Sequence, residues 1–430
     1  MSRVFVLSSD GQPLDPCHPA RARRLLSQGK AAVWRYRPFA IRLKGRSVAE
    51  SVIHPLRLKL DPGSVTTGLA LVREQPARVE WAGELTHRGR QIRDALLSRA
   101  AIRRSRRQRK TRYRPARFLN RRRPEGWLPP SLLHRVETSL TWVRRLQRLA
   151  PVAALSVETV SFDTQALLNP LISGVEYQQG TLLGYEVREY LLEKWGRKCA
   201  YCGGTNVPLQ VEHIVPRSRG GSDRVSNLTL ACEPCNTKKG TRTAEEFGHP
   251  TIQAQASQPL RDAAAVNATR WALYQRLVAT GLPVEVGTGG RTKYNRARLG
   301  LPKAHWLDAA CVGTSTPDTL AVGALHPLRI TATGHGSRQM CRMDKYGFPR
   351  TGPKQARRVQ GFRTGDLVRA VVPTGKKAGT HSGRVAVRTS GSFNISTAAG
   401  TVQGIGYRYC RLLHRSDGFT YPGGGASSHP

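Results

Sequence analysis

Two Cys-x-x-Cys pairs, Cys199/Cys202 and Cys232/Cys235, are the first residues whose spacing suggests chemistry. Each pair can present two thiolates from one knuckle turn, and four thiolates suit a tetrahedral, structural zinc ion. The other cysteines, at 17, 311, 341 and 410, are scattered. The pattern is that of a metal site in a reducing compartment, not a disulfide framework. The stretch between the pairs exceeds ordinary zinc-ribbon spacing, so something functional can hang between the knuckles. It holds Glu212 beside His213, then Asn227, and Asn236 follows Cys235 directly. One imidazole beside one hard-cation site can supply a base for water and a Lewis acid.

Three acids also occupy telling places in a very basic chain: Asp61, Glu158 and Asp308. Each ends or lies in an apolar element that should be buried, where a carboxylate is costly unless paired or metal-bound. His305 and Asp308 are three apart and share a helical face. Taken singly, each acid is more commonly explained by a salt bridge or a cap.

The elements that must position these residues follow from hydrophobic period and turn chemistry. Val4–Leu7 and Ala31–Tyr36 read as strands flanking a helix over Pro19–Gln28 that stops at Gly29. Leu56, Leu58 and Leu60 alternate with Arg57 and Lys59, and Pro62-Gly63-Ser64 supplies a turn. Residues 56–72 therefore read as a hairpin with Asp61 at the end of its first strand. Leu132, Leu133, Val136, Leu140, Val143 and Leu146 recur at helical spacing over 131–149. The Val-rich run 151–160 reads as a buried strand with Glu158 near its end. Helices are expected over 260–281 and 305–313. From about 326, Gly, Thr, Arg and short Val-rich runs predict a small β-rich region.

Residues 95–124 hold thirteen basic side chains and no acid. Nothing before Pro115 breaks a helix, so much of this stretch is expected to be one Arg-rich helix. It would present Arg99, Arg103, Arg104, Arg106, Arg107, Arg109, Lys110, Arg112, Arg114 and Arg117 to a polyanion. Alone it would repel itself, and phosphates on two or more sides relieve that. The whole chain repeats the argument: 69 Lys plus Arg face 28 Asp plus Glu, a net charge of +41. Such a particle must normally meet nucleic acid. No basic amphipathic helix with a strong apolar face points to a membrane surface. No run approaches the ~18 apolar residues of a membrane span, and the first twenty residues lack a signal-peptide pattern. A cytoplasmic, nucleoid-associated prokaryotic protein is expected.

The segment VEHIVPRSRGGSDRVSNLTLACEPCNTKKG resembles the HNH nuclease motif. The resemblance implies that His213 is the general base, that Glu212 and Asn236 hold one Mg²⁺, and that Asn227 supports the ββα-metal loop and orients His213. The acids resemble the RuvC pattern: Asp61 in a DPGS…TG strand-turn-strand, Glu158 at the end of a later strand, and His305-x-x-Asp308 on a helix. This implies an RNase H-like fold in which Asp61, Glu158 and Asp308 hold two Mg²⁺ ions roughly 3.5–4 Å apart, with His305 near the attacking water.

The order of these parts is similar to the IscB family, transposon-associated relatives of type II CRISPR effectors. The fold class implied is α/β and α+β multidomain, with the RuvC domain split in three at 55–93, 125–184 and 251–325. A small α+β domain (1–54) precedes it, where Pro13-Leu14-Asp15-Pro16 departs at one position from the family's Pro-Leu-Met-Pro. A bridge helix (94–124), an inserted HNH domain with zinc knuckles (185–250) and a β-rich C-terminal domain (326–430) complete it. The resemblance implies a structured guide, the omega RNA, and a double-stranded DNA target carrying a short flanking motif read by the C-terminal domain. HNH would cut the target strand and RuvC the displaced strand, in a ribonucleoprotein with one protein copy. Two rivals are a non-catalytic RNA-binding zinc protein and an HNH homing endonuclease that reads DNA with its own side chains.

Overall fold

The computed structural model describes residues 3–108, 127–159, 188, 191–192, 194–257, 263–334, 341, 344–345, 348–352 and 357–422. Its first unit is a four-stranded sheet of β1 (Val4–Leu7), β2 (Pro13–Cys17), β3 (Ala31–Arg35) and β4 (Ala40–Leu43), in the order β2-β1-β4-β3. Helix α1 (Pro19–Ser27) joins β2 to β3; His18 caps it by accepting from the Ala20 N–H. Strand β2 escapes a sequence reading because Pro13 and Pro16 look like turn residues. At a sheet edge, however, a missing donor costs no ladder bond.

A long chain segment then gives β5 (Leu56–Pro62), β6 (Thr66–Arg73), β7 (Arg78–Thr86), α2 (Gly89–Gln108), α3 (Pro130–Gln147) and β8 (Val152–Glu158). The cysteine-bearing part follows, with β9 (Leu209–His213), β10 (Leu228–Cys232), α4 (Glu233–Lys239) and α5 (Pro250–Ser257). After it come α6 (Ala263–Val278), β11 (Val284–Gly287), α7 (Gly289–Arg298), α8 (His305–Ala310) and β12 (Leu328–Ala332). The C-terminal strands are β13 (Arg358–Val359), β14 (Phe362–Arg363), β15 (Leu367–Val372), β16 (Gly379–Ala386), β17 (Ser392–Thr397), β18 (Gly400–Gly406), β19 (Cys410–His414) and β20 (Phe419–Thr420).

The largest sheet has seven strands in the order β11-β8-β5-β6-β7-β12-β20. Strands β5, β6 and β7 are antiparallel, whereas β8 runs parallel to β5 and β11 parallel to β8. Alternation along β5 sets the layers. Leu56, Leu58 and Leu60 face a core shared with Val136, Leu140 and Val143 of α3 and Leu273 and Leu277 of α6. Lys59 and Asp61 therefore face the opposite layer, where Trp306, Leu307, Ala309 and Ala310 of α8 pack on Ala70, Val72, Val79 and Ala82. Strands β12 and β20 lie in this sheet too. Composition groups them with the C-terminal region, because pairing across hundreds of residues leaves no mark on residue content.

Strands β9 and β10 pair as a separate antiparallel hairpin with its own apolar core around Leu191, Trp195, Ile214 and Leu230. The C-terminal region is an antiparallel sheet, β18-β17-β16-β15-β19, over Val368, Ala370, Phe393, Ile395 and Ile405. Among the described residues no helix is long and apolar enough to cross a membrane.

Candidate functional site

Cys199, Cys202, Cys232 and Cys235 bring their four sulfur atoms within 4.8 Å of one another. Cys232 caps the start of α4 and Cys235 lies one turn along it, so the β10–α4 junction supplies one knuckle. Cys202 and Cys232 Sγ stand 3.7 Å apart, close to the edge of about 3.8 Å expected for a tetrahedron of Zn–S bonds near 2.3 Å. Burial and then the other three sulfurs push the Cys235 thiol well up, while knuckle N–H bonds, against burial, bring Cys199 down to about 7. Four thiols this close ionise together only around a cation, so the set fits zinc.

The β9–β10 hairpin and α4 hold the second group. Along β9, Gln210 and Glu212 share one face, and α4 turns Asn236 and Lys239 toward it. The rungs are explicit: Asn236 Nδ2 donates to Gln210 Oε1 at 2.6 Å, and Lys239 Nζ donates to Glu212 Oε1 and the His213 carbonyl, both at 2.8 Å. Glu212 and Asn236 thus sit on facing elements and offer hard oxygen donors, which fits one divalent cation. Asn227 closes the loop between the strands. Its Oδ1 accepts from Val215 N, and its Nδ2 donates to the carbonyls of Val215 and Ser222, each at 2.9 Å. His213 Nε2 lies 2.7 Å from Asp223 Oδ1. Hydrogen bonds from Arg217 and then His213 hold the Asp223 carboxyl below its usual range.

The third group gathers on the α8 side of the seven-stranded sheet. Asp61 ends β5 and Glu158 ends the neighbouring parallel strand β8. Gly68, paired with Asp61 across the hairpin, lies so close to the start of α8 that a Cβ there would overlap the His305 carbonyl. His305 and Asp308 are therefore seated over the Asp61 strand end, with His305 exposed and Asp308 partly buried. Burial raises the Asp308 carboxyl above its usual value; Arg296 opposes this, and the charge of Glu158 adds to it. Among the described residues only the four cysteines close to within 4.8 Å as a set, so Asp61, Glu158 and Asp308 are not drawn that tightly together. Arginines take up the slack. Arg270 donates to Glu158 Oε1 at 3.2 Å and to the Pro62 carbonyl at 3.1 Å, and Arg296 stands 2.7 Å from Asp308. The donor chemistry, three carboxylates on converging elements, fits divalent cations.

Sequence reading missed the supports of this region. Lys59, fully buried, donates to the Val312 carbonyl at 2.8 Å and to Thr316 Oγ1 at 3.1 Å; burial lowers it to about 8. Asn295 donates to the carbonyls of Cys311 and Gly313 at 2.9 and 2.8 Å. Glu285 accepts from Ser156, Thr314 and the Ser315 N–H. These bonds tie the segment after α8 to β5, β11 and α7, and β11 in turn to β8. No signal short of the fold could have found them, because each joins residues far apart in the chain.

Helix α2 carries Arg99, Arg103 and Arg104 exposed, and Arg106 and Arg107 stand near its end. Arg109, Lys110, Arg112, Arg114 and Arg117 lie outside the described residues.

A family model described as "RRXRR protein" matches residues 4–180, and one described as "HNH endonuclease" matches residues 199–242. No curated protein matches the chain. Solved structures similar to it include Streptococcus thermophilus Cas9 in complex with the AGAA PAM, at 12% identity over 60% of this chain and 32% of that one, with a TM-score of 0.21. The type II-C Cas9 enzyme from Actinomyces naeslundii is another, at 18% identity over 42% of this chain and 26% of that one, with a TM-score of 0.15. The match spans 32% and 26% of the length of these two proteins.

Proposed function

We propose, from the premise that this IscB/Cas9-like chain is a nuclease, that it is an RNA-guided DNA endonuclease with two hydrolytic centres. The observation that carries the reading is the seating of Glu212, His213, Asn227 and Asn236 on the β9–β10–α4 frame, inside the segment that matches HNH endonucleases. His213 takes the proton of the attacking water. Glu212 and Asn236 would hold one Mg²⁺ ion, which when bound supplies Lewis acidity at the scissile phosphate. Asn227 keeps the loop closed and the imidazole in place. The four cysteines would hold a structural zinc ion that fixes this frame.

The second centre is a split RuvC-like site. Three segments far apart in sequence supply Asp61, Glu158 and the His305/Asp308 helix to one layer of one sheet, which supports the reading. Asp61, Glu158 and Asp308 would hold two Mg²⁺ ions, with His305 beside the water. The Arg-rich stretch from Arg99 to Arg117 lies along the guide, the omega RNA, and the C-terminal domain reads the motif beside the target. HNH then cuts the target strand and RuvC the displaced strand.

The test is a strand-resolved assay on protein purified with its RNA, given Mg²⁺ and end-labelled duplex. His213→Ala should leave a nick in the displaced strand alone, and Asp61→Ala a nick in the target strand alone. Specific cleavage that survives RNase treatment overturns the guide. Absence of cleavage with every RNA that co-purifies overturns the nuclease reading and leaves an RNA-binding zinc protein.

A further inference from the structure

The loop between His213 and Asn227 is built, not slack. Asn227 bonds both its ends, at Val215 and Ser222. Gly221 sits so close inside it that a Cβ would overlap the Val215 carbonyl and press on Asn227 Nδ2 at 2.9 Å. The residue that this closed loop delivers next is Asp223. Its Oδ1 stands 2.7 Å from His213 Nε2 and accepts from Arg217 Nε at 2.8 Å, and a second guanidinium nitrogen of Arg217 bonds Oδ2. The carboxylate is thus held from one side by Arg217 and turned to the imidazole on the other.

The chemistry of that contact is directional. An ionised carboxylate only accepts, so the proton between the two groups belongs to His213 Nε2. The lone pair of the neutral ring is then on Nδ1, which has no partner among the described residues. We infer that Asp223 is a positioning residue for hydrolysis: it fixes His213 in the Nε2–H form and steadies the imidazolium that the reaction creates. This rests on His213 being the base at this site. In the step, Nδ1 takes one proton from water, and the water oxygen forms a bond to phosphorus. The bond from phosphorus to the leaving oxygen breaks, and that oxygen keeps the electron pair until solvent protonates it. The positive charge gained by the ring lies against Asp223, as in other carboxylate–histidine pairs.

The test measures single-turnover target-strand cleavage by the full RNA-bound protein with Mg²⁺, for Asp223→Ala, Asp223→Asn and His213→Ala. Displaced-strand cleavage, DNA affinity and zinc content are followed in the same samples. Asp223→Ala should slow the target-strand cut by roughly 100-fold or more, with the other three readouts unchanged. Sodium formate should restore part of that rate, because a small carboxylate can enter the space left, and should restore nothing in His213→Ala. If Asp223→Ala loses zinc, the near-isosteric Asp223→Asn decides, with a loss of at least about 10-fold expected. A target-strand rate within threefold of the parent in the zinc-bearing variant, while His213→Ala abolishes the cut, overturns the inference. So does a loss that formate leaves untouched. A His213→Ala variant that still cuts the target strand removes the base on which the inference stands, and is told apart by that variant alone.

Discussion

Lys239 meets Glu212 at 2.8 Å with its ammonium group wholly withdrawn from solvent. The same nitrogen also reaches the His213 carbonyl. One buried cation thus ties the last turn of α4 to Glu212 and His213, the last two residues of β9. A partner of this kind stabilises little by itself, yet its removal strands the opposite charge.

Lys239→Met should therefore be severe. The change removes one side of a buried ion pair, a penalty on the order of 3–5 kcal/mol. The expected result is loss of the target-strand cut with a lowered melting point for the four-cysteine unit, read by strand-resolved cleavage and by thermal unfolding. A variant that melts and cuts like the parent would show that the contact matters to neither.

Gly68→Ala asks whether α8 must touch the Asp61 hairpin. The added methyl group overlaps the His305 carbonyl, so hairpin and helix must part. Displaced-strand cleavage should fall at least 100-fold, because a small misplacement of reacting groups costs about that much. Target-strand cleavage should hold. Equal loss of both cuts would tie the two centres together.

Glu285 gives the fold a pH signature. Against burial, which pushes the other way, hydrogen bonds from Ser156, Ser315 and Thr314 bring its carboxyl down to about 2 from 4.5. The native state therefore binds fewer protons than the unfolded chain in that window. The stabilisation is whole above about pH 4.5 and disappears as pH falls through about 2. Glu285→Gln should lower stability at neutral pH by on the order of 2–3 kcal/mol, with the gap in melting temperature closing as the buffer is acidified across this range. A gap that stays constant from pH 7 to 3 would assign the loss to packing.

Arg99, Arg103 and Arg104 stand exposed on α2, and the proposal puts them against guide phosphates. Each phosphate contact contributes roughly 0.7–0.9 to the slope of log K against log salt. Replacing all three by Gln should flatten that slope by roughly 2–3, measured by filter binding of the guide at several salt concentrations. An unchanged slope would place these side chains in solvent.

How far the sequence goes depends on how local the signal is. The two Cys-x-x-Cys pairs and the Glu212-His213 dipeptide are short-range patterns, and the fold brings the four sulfurs together. The alternation of Leu56, Leu58 and Leu60 likewise fixes which way Asp61 faces, because the period of a strand is two. Arg270, Arg296 and Lys239 were invisible among 69 basic residues. What distinguishes them is a carboxylate partner on another element, which composition does not encode. Asp223 was hidden for a different reason: in a Gly-Gly-Ser-Asp stretch an acid reads as turn chemistry, and only the closed loop reveals its second contact. Strand β7 was missed beside the hairpin it extends, and β12 and β20 were grouped with the wrong neighbours, since sheet order is a long-range property.

The apolar residues around Leu230 and those around Leu58 belong to different cores and have no side chain in common. Cohesion in this polypeptide therefore comes in separate parcels. If the four cysteines hold zinc as proposed, withdrawing the metal with a chelator should melt the Leu230 parcel while the Leu58 parcel keeps its shape.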